Sequence, residues 1–120
     1  MFLRRQNYPI FEEGTLVYYI PGFSVRRYGR VINANTFAQM ADSSQLPLKM
    51  RAYDRRELVC VLESSGNVEV FHAAELTKVR DPLKFIEELR EAKARTPARR
   101  QEILDDIALL ERSSGNMSYH

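Results

Sequence analysis

Arginine and tyrosine occur together in two short stretches of this 120-residue chain. The first stretch is RRYGR at residues 26–30, and the second is RAYDRR at residues 51–56. Because guanidinium groups bind phosphate and aromatic rings stack on unpaired bases, this mixture suits contact with single-stranded RNA. The candidate nucleic-acid-binding residues are Arg26, Arg27, Arg30, Arg51, Arg55, Arg56, Tyr28 and Tyr53.

The same arginines also fit a structural explanation. Asp54 and Glu57 accompany the second stretch and would neutralise part of its charge in a solvated loop. A separate pair, Arg99 and Arg100, falls in the first turn of a predicted helix, where the helix dipole disfavours cations by up to about 1 kcal/mol. An acidic partner, a phosphate, or pairing within the chain to Glu102 or the preceding helix would each offset this cost.

No pattern in the sequence indicates catalysis or metal binding. His72 follows a predicted strand and His120 is terminal, so the two histidines do not have the spacing of metal ligands. The stretch SSG at residues 64–66 has no neighbouring base or oxyanion site to activate a serine. The acid pairs at 12–13 and 105–106 are adjacent in sequence and would not face each other across a cleft. We therefore predict a protein that is not an enzyme and has no cofactor.

Charge and composition narrow the class of protein. The net charge is +2, but residues 1–60 carry +4 and residues 61–120 carry −2, so the basic excess belongs to the first half. Cys60 is the single cysteine, which excludes an intramolecular disulfide. Residues 1–8 lack the apolar segment of a secretion signal, and no stretch approaches the roughly 20 apolar residues of a membrane span. We expect a soluble, cytoplasmic protein with no membrane contact.

The predicted secondary structure that positions these residues changes from strands to helices near Val79. Before it, apolar β-prone runs are separated by turn residues, which predicts strands at 15–20, 28–33, 58–63, 68–72 and 77–79, with an extra edge strand at 48–53. After it, Asp81-Pro82 and Thr96-Pro97 each combine a capping residue with proline at the first helical position. The fold class is therefore mostly β with two C-terminal helices. The second helix is predicted to bury Ile103, Leu104, Ile107 and Leu110 and to end at 113–116.

The order of the β motifs resembles the small SH3-like barrels, including the Tudor and KOW groups. The resemblance covers about residues 13–79 and is carried by GTLVY at 14–18, YGRVI at 28–32, LVCVL at 58–62, VEVF at 68–71 and ELTKV at 75–79. It implies a five-stranded barrel of a class that mostly binds and rarely catalyses: many members bind RNA, DNA, modified tails or proline-containing peptides, and others are structural parts of larger complexes. An aromatic cage of the Tudor type would draw on Tyr19, Phe23, Tyr28 and Tyr53. A barrel followed by helices is also similar in order to RNA-polymerase-binding regulators with a Tudor-like first domain.

The resulting domain organisation has four parts. They are an N-terminal leader at 1–12, an SH3-like barrel at 13–80 with a long inserted loop at 35–56, a helical hairpin at 81–112 and a flexible tail at 113–120. A two-helix unit has little core of its own, so the hairpin must dock, either on its own barrel or on a partner through Leu83, Leu104 or Leu109.

Two functions follow from this organisation, and the oligomeric state stays open. The first is a nucleic-acid-binding module that uses an arginine-rich loop face. The alternative is a protein–protein adapter, or an assembly or regulatory subunit, that uses the barrel edge or the helical hairpin.

Overall fold

The chain folds into one antiparallel sheet and two helices. A computed structural model describes residues 10–22, 24–33 and 46–117, including their side chains except those of 33 and 114–117. The strands are β1 (Leu16–Tyr19), β2 (Arg27–Asn33), β3 (Leu58–Glu63), β4 (Val68–His72) and β5 (Thr77–Lys78). They pair in the order β4-β3-β2-β1-β5. The predicted mixed fold is confirmed, whereas the sheet is not closed: β4 and β5 form its two edges.

Alternation along β1 gives the sheet two apolar faces. Val17 and Tyr19 pack with Phe11, Val31 and other residues of the sheet and its connections in one core cluster. Leu16 packs on the opposite side, in a cluster that includes residues of both helices. The sheet therefore has a second buried face, and the helical hairpin covers it.

Gly29 of the RRYGR stretch occupies a position where only glycine fits. It pairs with Glu63 of β3, and a Cβ atom at this position would lie 2.5 Å from Val61 Cγ1 and 3.0 Å from the Leu62 carbonyl oxygen. Any larger residue would push the two strands apart. The glycine is thus required for the close pairing that holds the neighbouring Tyr28 and Arg30 in the sheet.

The extra edge strand predicted at 48–53 is wrong. Leu48–Met50 form a short 3₁₀ turn after Pro47, and a second such turn at Arg55–Glu57 leads into β3. Leu46 and Met50, four residues apart, are both buried in a small core cluster with Leu58 and Cys60. The burial of Leu46 and Met50, whose four-residue spacing suits a helical turn, has decided the structure of this segment. The alternation of apolar and basic residues, which predicted a strand, has not. Of the predicted inserted loop at 35–56, residues 35–45 lie outside the described residues, as does the leader up to residue 9.

Both helices begin where their capping signals predict. Helix α1 (Pro82–Glu91) starts after Asp81, whose side chain accepts a hydrogen bond from the Lys84 amide. Helix α2 (Pro97–Met117) starts after Thr96, whose hydroxyl oxygen accepts from the Arg99 amide at 3.1 Å. No helix in the described part of the chain has the length and apolar character needed to cross a membrane.

Two predictions about α2 are wrong. The helix continues through Met117, past the predicted end at 113–116, and the Ser113 hydroxyl is satisfied within it by donating to the Leu109 carbonyl. Leu104, expected in the core, is 60% exposed, whereas Ile103 and Leu110 are buried. Ile103 and Leu110 lie two turns apart on the face toward the sheet, and Leu104 lies about 100° around the helix from Ile103.

Candidate nucleic-acid interface

Arg27, at the start of β2, is held by three side chains. Its Nε donates to Asp106 Oδ2 at 3.1 Å, its Nη1 to Glu102 Oε2 at 3.0 Å and its Nη2 to Ser64 Oγ at 3.2 Å. Glu102 and Asp106 belong to α2, and Ser64 belongs to the turn between β3 and β4. One strand residue therefore joins the helix to the hairpin turn.

Asp106 is the fully buried member of this group. Burial raises the pKa of its carboxyl, and the hydrogen bond from the Ser64 hydroxyl and the charge of Arg27 oppose that rise only in part. For Arg27, burial is the largest influence and lowers the pKa, but Asp106 and Glu102 more than offset it and the pKa lies above its ordinary value. Arg27 is thus a permanent cation, and its charge is used inside the molecule.

Arg26 and Tyr28 also belong to the interface between sheet and helices. The Arg26 guanidinium carbon lies 4.5 Å from the centre of the Tyr18 ring and 4.9 Å from that of Phe85, and its Nη1 lies 3.3 Å from Glu88 Oε2. Tyr28 is buried, with its ring 5.7 Å from Phe85 in an edge-on arrangement. Tyr28 is thus a core residue that cannot stack on a base, whereas the Arg26 guanidinium, 36% exposed, contacts the two rings and Glu88.

The second arginine stretch lies elsewhere in the fold. Arg51 Nε donates to the Leu46 carbonyl at 3.0 Å, and Arg56 Nη2 pairs with Asp54 Oδ2 at 2.7 Å. The bonds from Arg56 lower the pKa of Asp54 to about 2. Arg55 is half-buried in the turn before β3. These hydrogen bonds stay within residues 46–57, whereas those of Arg26 and Arg27 reach the helices.

The described aromatic residues of the predicted cage lie in three different places. Tyr19 packs on Phe71 at a ring distance of 4.5 Å. Tyr28 packs against helix α1, as described above, and Tyr53 packs on His72 at 4.6 Å. Phe23 lies outside the described residues. The three described rings do not form a cage.

Arg30 differs from Arg27, the other arginine of β2. Its Nη2 donates to Ser113 Oγ at 2.6 Å, and its buried Nε has no hydrogen-bond acceptor among the described residues. It forms no ion pair within the described part of the chain. Arg30 thus carries a charge that no described carboxylate neutralises.

A cleft of about 560 Å³ places two further cations beside Arg30. It lies where the sheet edge meets the start of α1 and the distal part of α2. Its described lining is Gly14, Leu16, Arg30, Lys78, Val79, Arg80, Pro82 and Ser113. Three of these residues are cationic and none is acidic. We call the set of Arg30, Lys78 and Arg80 the cationic cleft.

Sequence reasoning missed Lys78 and Arg80, although the sequence held a signal for them. Lys78 and Arg80 flank the buried Val79, so both point away from the core as alternate residues at a strand edge. The same two residues also line a neighbouring cleft of about 510 Å³. The strand at 77–79 was predicted, but alternation alone does not show which neighbouring elements its exposed residues face.

The described residues contain no group of three or more His, Cys, Asp or Glu side chains that could hold a metal ion. A comparison of the chain with protein-family models, with curated proteins and with solved structures finds no match.

Proposed function

We propose that this chain is a non-enzymatic module that binds nucleic acid and that it contacts the phosphate backbone through the cationic cleft. The observation that carries the proposal is the unneutralised charge of Arg30, Lys78 and Arg80 in one concave surface without a described acidic lining residue. Three like charges facing one cleft repel one another, and a bound anion would relieve that repulsion.

The guanidinium of Arg30, which has no carboxylate partner among the described residues, favours an oxyanion as the occupant. A buried donor without an acceptor costs about 1–3 kcal/mol, and more when it is charged. Arginine binds phosphate through two parallel N–H donors, and the two Nη groups of Arg30 form such a pair. Ser113 already takes one Nη2 hydrogen bond, so the remaining donors are those of Nε and Nη1 and the second hydrogen of Nη2.

The resemblance of residues 13–79 to the SH3-like, Tudor and KOW barrels supports the same class of function. Members of these groups bind through strand edges and loops, and many bind RNA or DNA. In this proposal the contact surface moves from the predicted loop face to the β5 edge. Tyr53, which is 45% exposed beside Arg55 and Arg56, is a candidate for peripheral base stacking.

The test is a salt titration of binding to a labelled mixed-sequence single-stranded oligonucleotide, followed by fluorescence anisotropy. Three phosphate contacts predict a log–log slope of about −2, from roughly −0.7 per contact. Replacing Arg30, Lys78 and Arg80 together by alanine should remove the salt-dependent binding, and Lys78→Ala alone should reduce the slope by about 0.7.

The matched control is Lys84→Ala, which removes an exposed lysine of α1 outside the cleft. It should leave the slope unchanged. Absence of binding at low salt would contradict the proposed function. Binding that survives the triple substitution would show that the contact surface lies elsewhere.

A further inference from the structure

The open side of the helical hairpin forms a second concave surface, separate from the cationic cleft. It is an apolar groove of about 430 Å³ between α1 and α2. Its floor and walls comprise Leu89, Ala92, Ala94, Ile103, Leu104 and Ile107, with Arg90 and Arg100 also lining it. Leu104, at 60% exposure, is its most exposed large apolar residue.

The surroundings of this groove are strongly basic. Residues 90–100 contain five basic residues and one acidic residue, Glu91. Arg90 pairs with Glu111 at 3.2 Å, and Arg99 pairs with Glu102 at 3.2 Å. The remaining three cations, Lys93, Arg95 and Arg100, form no ion pair with any described residue. Of the two cations that line the groove, Arg90 is paired with Glu111 and Arg100 has no carboxylate partner among the described residues, while Lys93 and Arg95 lie in the adjoining connection between the helices.

Arg100 is the cation whose position most needs an explanation. It lies in the first turn of α2, where the helix dipole is positive and a cation is unfavourable. Pairing within the chain to Glu102 accounts for Arg99 but not for Arg100. An anionic group beside the first turn of α2 would neutralise Arg100, whose backbone amide, like that of Arg99, already donates to Thr96.

We propose that the groove docks an acidic amphipathic helix from a protein partner. Leucine-type side chains at i, i+3, i+4 and i+7 would pack on Leu89, Ile103 and Leu104, and the carboxylates beside them would face Arg95 and Arg100. This function goes beyond nucleic-acid binding and uses a different surface.

Charge complementarity selects this occupant over a second copy of the chain. In a two-fold dimer the same patch lies on both sides of the interface, so the basic tips of two hairpins would face each other. An acidic helix instead meets the basic rim with opposite charge. It also covers Leu104, which a phosphate backbone would leave exposed.

The probe is a fluorescein-labelled synthetic peptide that carries leucines on one helical face and glutamates on the other. The control peptide has lysine in place of every glutamate. Anisotropy titrations with the full chain should show binding of the glutamate peptide and little binding of the lysine peptide. Equal binding of both peptides, or of neither, would overturn the proposal.

Two variants locate the contact. Leu104→Ser and Arg100→Glu should each weaken glutamate-peptide binding by about tenfold, since each removes one central contact. Arg100→Glu should keep or raise the melting temperature, because it places an anion at the helix N-terminus. A variant that loses both peptide binding and stability would point to misfolding instead and would overturn this use of Arg100.

The matched control is Leu83→Ser, which changes a leucine that is also 60% exposed but does not line the groove. It should bind the peptide as the unmodified chain does, and so should Arg30→Ala in the cationic cleft. Equal weakening by Leu83→Ser would overturn the assignment of the groove. A dimer in sedimentation analysis that dissociates on Leu104→Ser would replace the partner helix by a second copy of the chain.

Discussion

Arg27 and Arg30 lie three residues apart on the same strand, yet their surroundings are opposite. Arg27 contacts two carboxylates, one of them buried, and Arg30 contacts a single serine hydroxyl. The difference comes from α2, which presents Glu102 and Asp106 to Arg27 and then, two turns beyond Asp106, Ser113 to Arg30. One helix face thus neutralises one arginine and leaves the other charged.

This comparison teaches that a run of arginines in a sequence does not have one role. The cations that meet carboxylates of the hairpin hold the fold together, and the cation that meets a hydroxyl keeps charge for an external anion.

The largest expected effect is the loss of folding stability caused by Arg27→Met. The substitution keeps the apolar volume but leaves Asp106 buried without its cation, and breaking a buried pair in this way costs about 3–5 kcal/mol. Urea unfolding followed by circular dichroism should show a loss of that size in the free energy of unfolding. The control is Arg90→Met, whose exposed pair with Glu111 should contribute no more than about 1 kcal/mol. Similar losses from the two variants would contradict the role assigned to Asp106.

The next largest effect, on oligonucleotide binding, is expected when Arg30 is given a carboxylate partner such as Arg27 has. Ser113→Asp places a carboxylate beside Arg30, so Arg30 should pair internally and the cationic cleft should lose one unit of charge. We expect oligonucleotide affinity to fall by about tenfold, or roughly 1.4 kcal/mol, with no loss of thermal stability. Ser65→Asp, in the exposed turn between β3 and β4, adds the same charge as a control. Equal losses from both variants would mean that net charge alone, and not the cleft, governs binding.

A smaller effect is the pH dependence of the stability that Asp106, the partner of Arg27, contributes. Burial raises the pKa of Asp106 above its ordinary value of 3.8, so the native state binds its proton more tightly than the unfolded state does. Stability from this group is therefore complete below pH 3.8 and falls as pH rises through the raised native pKa. The free energy of unfolding of the unmodified chain, relative to that of Asp106→Asn, should fall over this window and then stay constant. A difference that rises with pH would mean that the native pKa is lowered instead.

The smallest effect is expected at Arg26. Arg26→Lys keeps the charge near Glu88 but loses the flat contact with the Tyr18 and Phe85 rings, which at a partly exposed site stabilises by about 0.5–1 kcal/mol. Thermal melts should show a small decrease in melting temperature. An unchanged melt would indicate that the stacking contributes nothing beyond the charge.

The sequence predicted the elements better than it predicted the partners of the arginines. Capping residues and alternation are local, so the two helix starts and the five strands could be read directly from the chain. The contact of Arg27 with Asp106 spans 79 residues and depends on how the hairpin docks, which no local pattern encodes. The strand predicted at 48–53 failed for a related reason, because burial of Leu46 and Met50 against β3 decides that segment.

The sequence indicated a cationic site but not its position in the fold. A basic β half with an arginine in the YGRVI stretch was visible from charge alone, and Arg30 belongs to both the predicted set and the cleft. Lys78 and Arg80 join it only because β5 pairs with β1, which in turn pairs with β2 beside Ser113. The proximity of these two residues to Arg30 therefore follows from the order of the strands in the sheet.

The distance along the chain between Arg27 and Asp106 also has a consequence for synthesis. At ribosomal rates of about 5–20 residues per second, the acid is added roughly 4–16 s after the arginine. For nearly all of that interval neither Glu102 nor Asp106 exists, so Arg27 has neither of its carboxylate partners. A nascent or truncated chain that ends before α2 therefore carries this charge unpaired, and we expect it to bind polyanions more strongly than the complete fold does.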